Sequence, residues 1–292
     1  MTPGIAVSET PPTPAPVAPP PPPPAALVEQ ELTAHHALFA ALRAHDARAL
    51  AARYAPDATL SIGPVDVHGG DAIAALAESV WTAFPDEKLQ WGHVLQAGDV
   101  LAVELGWTGT STERFHDHAP AHKAVGASAL LVERFNDNAL IVSQRLYVDV
   151  DNVANALAWG SGKAHPFEGL PTAQVTVPDH TAPSPVDDEP LRTLAATLQS
   201  GAYKNVPPFD ADALWIDFSK GHTSSGKGLN ASWTASLYRA YLGAGHVTPW
   251  SAGDYVVLEW KGSAGKGSAG AAISADVLKL EGGKVVEVWT YR

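Results

Sequence analysis

Apolar positions recur along the chain first with a helical period and then with a period of two. Residues 29–44 place Leu32, His36, Phe39, Leu42 and Arg43 near helical spacing, which predicts a helix. A short helix over 47–54 follows, and Pro56-Asp57 stops it. Residues 58–62 read as a short strand closed by a Gly-Pro turn. Gly70-Asp71 opens a third helix over 71–84, with Ile73, Leu76, Val80, Trp81 and Phe84 on one stripe. Beyond Pro85-Asp86 the pattern alternates. Strands are predicted at 88–95, 100–110, 123–136 and 140–148, with turns at Gly98-Asp99 and Asn136-Asp137-Asn138. Helices first and antiparallel strands after describe an α+β domain, its helices packed on one face of a curved sheet.

The C-terminal part repeats this order in compressed form. Helices are predicted at 190–199 and 228–242, the second striped by Leu229, Trp233, Leu237 and Tyr241. Strands are predicted at 213–218, 255–261, 272–280 and 284–291. Short strings correspond as well. Tyr54–Leu60 sits where Phe209–Leu214 sits, Gly98–Glu104 parallels Gly253–Glu259, and the hairpin at 136–143 parallels the one at 280–287. Three matches in the same order indicate an internal duplication.

Length agrees, because 292 residues suggest about two domains. Residues 1–28 hold 11 of the 24 prolines and a single charge, and they read as an extended tether. They lack the basic and apolar regions of a signal peptide, although a spacer behind a lost export signal stays open. A second Pro- and Gly-rich stretch, 161–186, reads as a linker between domains at 29–160 and 187–292. With no cysteine, disulfides and cysteine–zinc sites are excluded. No apolar run is long enough for a transmembrane helix. Compartment stays open between cytoplasmic and exported. Charge is uneven, with 17 acidic against 8 basic residues in 29–160 and 11 against 10 in 187–292. An acidic surface without a basic stripe makes nucleic acid a poor partner.

Three short strings carry a resemblance: Phe84-Pro85-Asp86 after the third helix, Gly98–Val103 at a strand start, and Tyr147-Val148-Asp149 followed by Val153-Ala154 and Leu157. Through them, residues 32–158 resemble the SnoaL-like polyketide cyclases, within the nuclear-transport-factor-2-like superfamily. Residues 190–292 resemble the same superfamily more weakly, chiefly through Gly282–Trp289. The resemblance implies two tandem cone-shaped α+β barrels, each with an apolar pocket between sheet and helices. It also implies pairing through sheet faces. Tandem copies satisfy that pairing within one chain, so a monomer with an internal pseudo-dimer is expected. Steroid isomerases and scytalone dehydratases share the fold, so the fold fixes no reaction.

In SnoaL-like cyclases an Asp near the end of the last strand is the acid/base, and the matching residue is Asp149. A family His is replaced by Tyr147 and a family Gln by Ala156. Strand alternation puts Arg145, Tyr147 and Asp149 on one face, a cation, a phenol and a carboxylate in line. An arginine in that row suits an anion-binding wall equally well. In the plainer reading Asp149 caps the helix that follows. The counterpart of Asp149 in the second copy falls beyond Arg292, so that copy is expected to bind or support. Trp81, Trp91 and Trp107, with Phe84 and Tyr54, are expected to line a cavity or to fill a core. His93 is a further candidate for the pocket wall. His116, His118 and His122 form either a metal-binding loop or a polar loop over the mouth. His35, His36 and His45 read as surface. The glycine-rich loop at 262–268 has no helix after it to hold a phosphate. No cofactor is expected. The ligand class is a small apolar molecule, with proton-transfer chemistry (cyclisation, isomerisation or dehydration) by Asp149 and Tyr147 as the enzymatic reading. The alternative is a non-catalytic binding or scaffold protein.

Overall fold

The computed structural model describes residues 25–167, 197, 208–218, 220–226, 228–229, 231–233, 235, 246–261 and 273–292. Two helices open the first domain: α1 over Ala25–Ala44 and α2 over Ala47–Ala51, the latter capped by the Asp46 side chain on Ala49 N. Strand β1 spans Tyr54–Ile62, so Pro56 lies inside a strand. It sits where the register against β6 shifts, between Tyr54 and Thr59, so its missing N–H breaks no ladder bond. Strand β2 (Val65–His68) and helix α3 (Gly70–Ala83) follow. Then come β3 (Lys88–Ala97), β4 (Val100–Thr110), β5 (Ala124–Phe135), β6 (Ile141–Val148) and α4 (Val150–Ala156). The six strands form one sheet in the order β2-β1-β6-β5-β4-β3, with β1 and β6 parallel.

The second sheet has the same plan. Strands β7 (Phe209–Asp217), β8 (His222–Ser225), β9 (His246–Ala252), β10 (Tyr255–Lys261), β11 (Ile273–Glu281) and β12 (Lys284–Tyr291) lie in the order β8-β7-β12-β11-β10-β9. Again the first strand pairs parallel with the last. The turns before β4 and β10 match in detail. Gly98 and Gly253 have φ of 60° and 58°, a left-handed conformation that glycine adopts without steric cost. Two tandem α+β sheets of one topology are therefore present. Strand β9, absent from the sequence expectation, contains Pro249, and its edge position tolerates a residue that cannot donate. Of the expected helix at 190–199 only Thr197 lies among the described residues. Of the helix at 228–242, Leu229, residues 231–233 and residue 235 are helical. The proline run and the loop at 262–268 lie outside the described residues.

Strand alternation gives the first sheet two apolar faces. Leu101, Val103, Leu105, Ala129 and Leu131 face the helices and pack with Leu38, Phe39, Leu50, Ile73 and Trp81. Ala102, Leu130, Val132 and Tyr147 point the other way. They share an apolar layer with Trp250, Val257, Val277, Trp289 and Tyr291 of the second sheet. Two carboxylates lie inside that layer. Tyr147 donates its hydroxyl to Glu259 at 2.8 Å, and Tyr291 donates to Glu104 at 2.6 Å. Glu104 and Glu259 hold the same position in β4 and β10, and the tyrosines match in β6 and β12. The bonds are thus reciprocal. No helix among the described residues is long and apolar enough to cross a membrane.

Candidate functional site

The row Arg145, Tyr147 and Asp149 starts on the face of the sheet that meets the second domain. Arg145 and Tyr147 both converge on Glu259, at 2.8 Å each. Burial and the Glu259 charge raise the Tyr147 pKa well above its ordinary value. Asp149 leaves the strand and caps α4, accepting from Asn152 N at 2.8 Å. Its other oxygen lies 3.6 Å from His165 Nε2. It lines a crevice of about 30 Å³ with Ser128, Asn152, His165, Ile216 and Phe218. Next to this lies an open groove of about 630 Å³ lined by Thr108, Thr110, Gly126, Asn152 and Phe167.

His93 also faces the second domain. Its ring lies 5.6 Å from both Tyr255 and Trp289, and its Nδ1 lies 2.6 Å from Glu104. The hydrogen bond to Glu104 holds its pKa above the usual histidine value. A register shift between Trp91 and Val94 explains the orientation. This bulge lets Trp91 and Val94 both pack toward the helices while His93 points away. Trp81 is buried against α1 and α2 and stacks on His45 at 4.9 Å. Trp107 packs on Phe84 at 5.0 Å and donates its indole N–H to Glu87 at 2.8 Å. His118 stacks on Trp159 at 4.8 Å. Among the described residues no group of three or more His, Asp or Glu side chains is arranged to hold a metal ion.

The residues with most chemical potential lie under α1, where His35 is fully buried rather than on the surface as its sequence position suggested. Four strands contribute one row across the sheet: Gln96, Leu101, Glu133 and Gln144. Helix α1 lays Glu31 over Gln96 and His35 over Glu133. His35 Nδ1 is 2.7 Å from Glu133 Oε2, Gln144 donates to Glu133 Oε1 at 2.9 Å, and Tyr54 donates to Gln144 at 2.7 Å. With Glu133 as a carboxylate both its oxygens accept, Nδ1 is the donor, and the neutral ring carries its lone pair on Nε2. Gln96 donates to Glu31 Oε2 at 3.1 Å. Burial pushes the Glu31 carboxyl up to about 7. Three atoms of this cluster are buried without a partner: Glu31 Oε1, His35 Nε2 and Gln96 Oε1. Aromatic rings close round it. Phe39 lies 4.7 Å and Trp91 6.2 Å from His35, and the Arg43 guanidinium sits 4.5 Å over Trp91.

The second domain fills the equivalent positions differently. Register places Leu278 where Glu133 stands and Val288 where Gln144 stands. Its own buried carboxylate, Asp276, stands where the first domain has Leu131. Trp233 and Trp260 donate to it at 3.3 and 2.8 Å, and Thr290 donates as well. Trp215 in turn donates to Thr290 at 3.0 Å. Burial raises the Asp276 pKa. The second copy therefore keeps a carboxylate inside its sheet, two positions along β11 from the first domain's, and each of its oxygens is satisfied.

Comparison with known proteins locates the first domain. Residues 33–157 match the family model of SnoaL-like polyketide cyclases. No curated protein matches the chain. Among solved structures, a proposed SnoaL-like polyketide cyclase from Jannaschia sp. CCS1 is 18% identical over 45% of this chain and 94% of its own, with a TM-score of 0.42. AclR, a proposed hydroxylase from Streptomyces galilaeus, is 19% identical over 46% of this chain and 85% of its own, with a TM-score of 0.41. TsrD from Streptomyces laurentii is 14% identical over 44% of this chain and 95% of its own, with a TM-score of 0.40. The first domain, over residues 33–157, is thus similar to the SnoaL-like polyketide cyclase family, and the second sheet repeats the topology of the first.

Proposed function

We propose that this protein binds a small, mostly apolar molecule between α1 and the first sheet, and that its second domain serves as an in-chain dimer partner. The observation that carries the ligand site is the polar row under α1. Burying an acceptor without a partner costs about 1–3 kcal/mol, and this cluster does so at Glu31, His35 and Gln96. The second domain shows that the same framework accepts Leu278 and Val288 in place of the supporting Glu133 and Gln144. Polar groups kept at such a cost, ringed by Phe39 and Trp91, are the composition of a small-molecule pocket. Trp91 is half-buried at the bulge of an edge strand, where a ring can turn with little loss of ladder bonding. The reciprocal tyrosine–glutamate bonds support the in-chain pairing.

Titration with a flat aromatic ketone such as α-tetralone, read by intrinsic tryptophan fluorescence, tests the site. Saturable quenching that disappears in Trp91→Ala is the expected result. Quenching that is unchanged in Trp91→Ala, or no binding of this ketone class, refutes the site. Light scattering tests the pairing, with a mass near 30.5 kDa expected for a monomer and a stable dimer mass contradicting it.

A further inference from the structure

We propose that His35 and Glu31 form a proton-transfer site for a ligand with a C–H next to a carbonyl, His35 Nε2 acting as base and the Glu31 carboxyl as acid. The inference rests on the ligand site above and assigns its chemistry. The two residues are one turn apart on α1, a spacing that sets their side chains about 6 Å apart on one face. Both are fully buried, and each has one atom without a protein partner: Nε2 in His35 and Oε1 in Glu31. Glu133 orients the base by accepting a hydrogen bond from Nδ1–H, and Gln144 and Tyr54 fix Glu133 in turn. Gln96 holds the other oxygen of Glu31. Burial first, and then the negative charge of Asp99, favour the protonated carboxyl that can donate, against the hydrogen bond from Gln96. Two groups in one dry site, one able to take a proton and one able to give it, are the requirement for enolisation.

The step balances without a co-reactant. The C–H bond breaks and its proton goes to His35 Nε2. The bonding pair becomes the new C=C bond, the carbonyl π pair moves onto oxygen, and that oxygen takes the Glu31 proton. An enol, an imidazolium and a carboxylate result. Return of a proton to carbon gives exchange or isomerisation, and attack of the enol carbon on a second carbonyl of the same ligand gives a ring.

Deuterium uptake at C2 of α-tetralone in D₂O, followed by NMR, tests the site with the full chain. Wild type is expected to accelerate exchange roughly 100-fold or more over buffer, the scale of positioned general acid–base catalysis. His35→Gln and Glu31→Gln should each lose at least about tenfold of that while α-tetralone still quenches fluorescence. The wild-type rate should fall as pH rises through about 7, and this fall should be absent in Glu31→Gln. Binding of α-tetralone without acceleration over His35→Gln overturns this proposal and leaves the ligand site standing. Absence of binding overturns both. Should His35→Gln not melt cooperatively, Glu31→Gln decides alone: exchange at the wild-type rate with an unchanged pH profile overturns the assignment.

Discussion

Replacing Glu31 with Gln should make this protein more stable at alkaline pH. Glu31 has no exposed surface, and one of its oxygens has no partner. Burial moves its pKa from 4.5 to about 7, so the folded chain holds this proton more tightly than the unfolded chain does. A folded pKa above the unfolded one contributes stability that is fully present below about pH 4.5 and is lost as pH rises through about 7. At about 1.4 kcal/mol per unit, the loss reaches up to about 3 kcal/mol at pH 8. The amide of Gln has the same shape and no charge to desolvate, and its –NH₂ can reach the unpartnered oxygen of Gln96. Urea unfolding followed by tryptophan fluorescence at pH 5 and pH 8 measures the effect. The variant should match wild type near pH 5 and exceed it by up to about 3 kcal/mol at pH 8. A variant no more stable than wild type at pH 8 refutes both the buried charge and the sign of the argument. A gain in stability together with a loss of proton exchange would be the signature of a group kept for activity rather than for folding.

The layer between the sheets allows an asymmetric test. Tyr291→Phe and Tyr147→Phe each remove a hydrogen bond to a carboxylate and should each cost about 1.5–3 kcal/mol. Glu259 keeps Arg145 and Arg134 at 2.8 and 3.2 Å, whereas Glu104 keeps only His93 among the side-chain partners described for it. The His93 pKa is raised, so its contribution is present below about 6.5 and lost as pH rises through the folded value. Urea midpoints of Tyr291→Phe should therefore fall more steeply between pH 6 and 9 than those of Tyr147→Phe, and parallel profiles contradict this. Gly126→Ala should free the residues that follow α4. An added Cβ would lie 2.4 Å from the Phe167 ring, which must move. Trypsin should then cut after Lys163 faster than in wild type, and unchanged cleavage refutes the contact.

Much of the architecture was legible because it repeats. The Gly98–Glu104 and Gly253–Glu259 strings place matching glycines at the two turns and matching glutamates in the two sheets. The short strands β2 and β8 gave no signal, being four residues each with little apolar content. The polar cluster under α1 is hidden for a different reason. The sequence reads the apolar stripe of α1 through Leu32, His36, Phe39, Leu42 and Arg43, but the fully buried face runs through Glu31, His35, Leu38 and Phe39, with Leu32 and Leu42 half-buried beside it. Two polar residues on the inward face turned the apparent stripe by about one residue, roughly 100°. The spacing of Glu31 and His35 four apart, in line with Leu38 and Leu42, was the available clue. For Arg145, Tyr147 and Asp149, alternation correctly predicted a shared face for the first two, but no sequence pattern distinguishes a sheet face that meets helices from one that meets a second sheet. Asp149 followed the capping alternative.

The bulge at Gly92-His93 gives strand β3 two obligations. On one side Trp91 covers the cluster under α1, and two residues later, on the other side, His93 grips Glu104 beside Tyr291. Only Gly92 separates the two residues, so one bulge sets the direction of both side chains. On the proposed function, ligand entry past Trp91 and the contact between the two domains would draw on the same backbone, and their free energies would be linked. Linkage is reciprocal: whatever loosens the domains would then change affinity at the proposed ligand site, and an occupied site would change how firmly the domains hold.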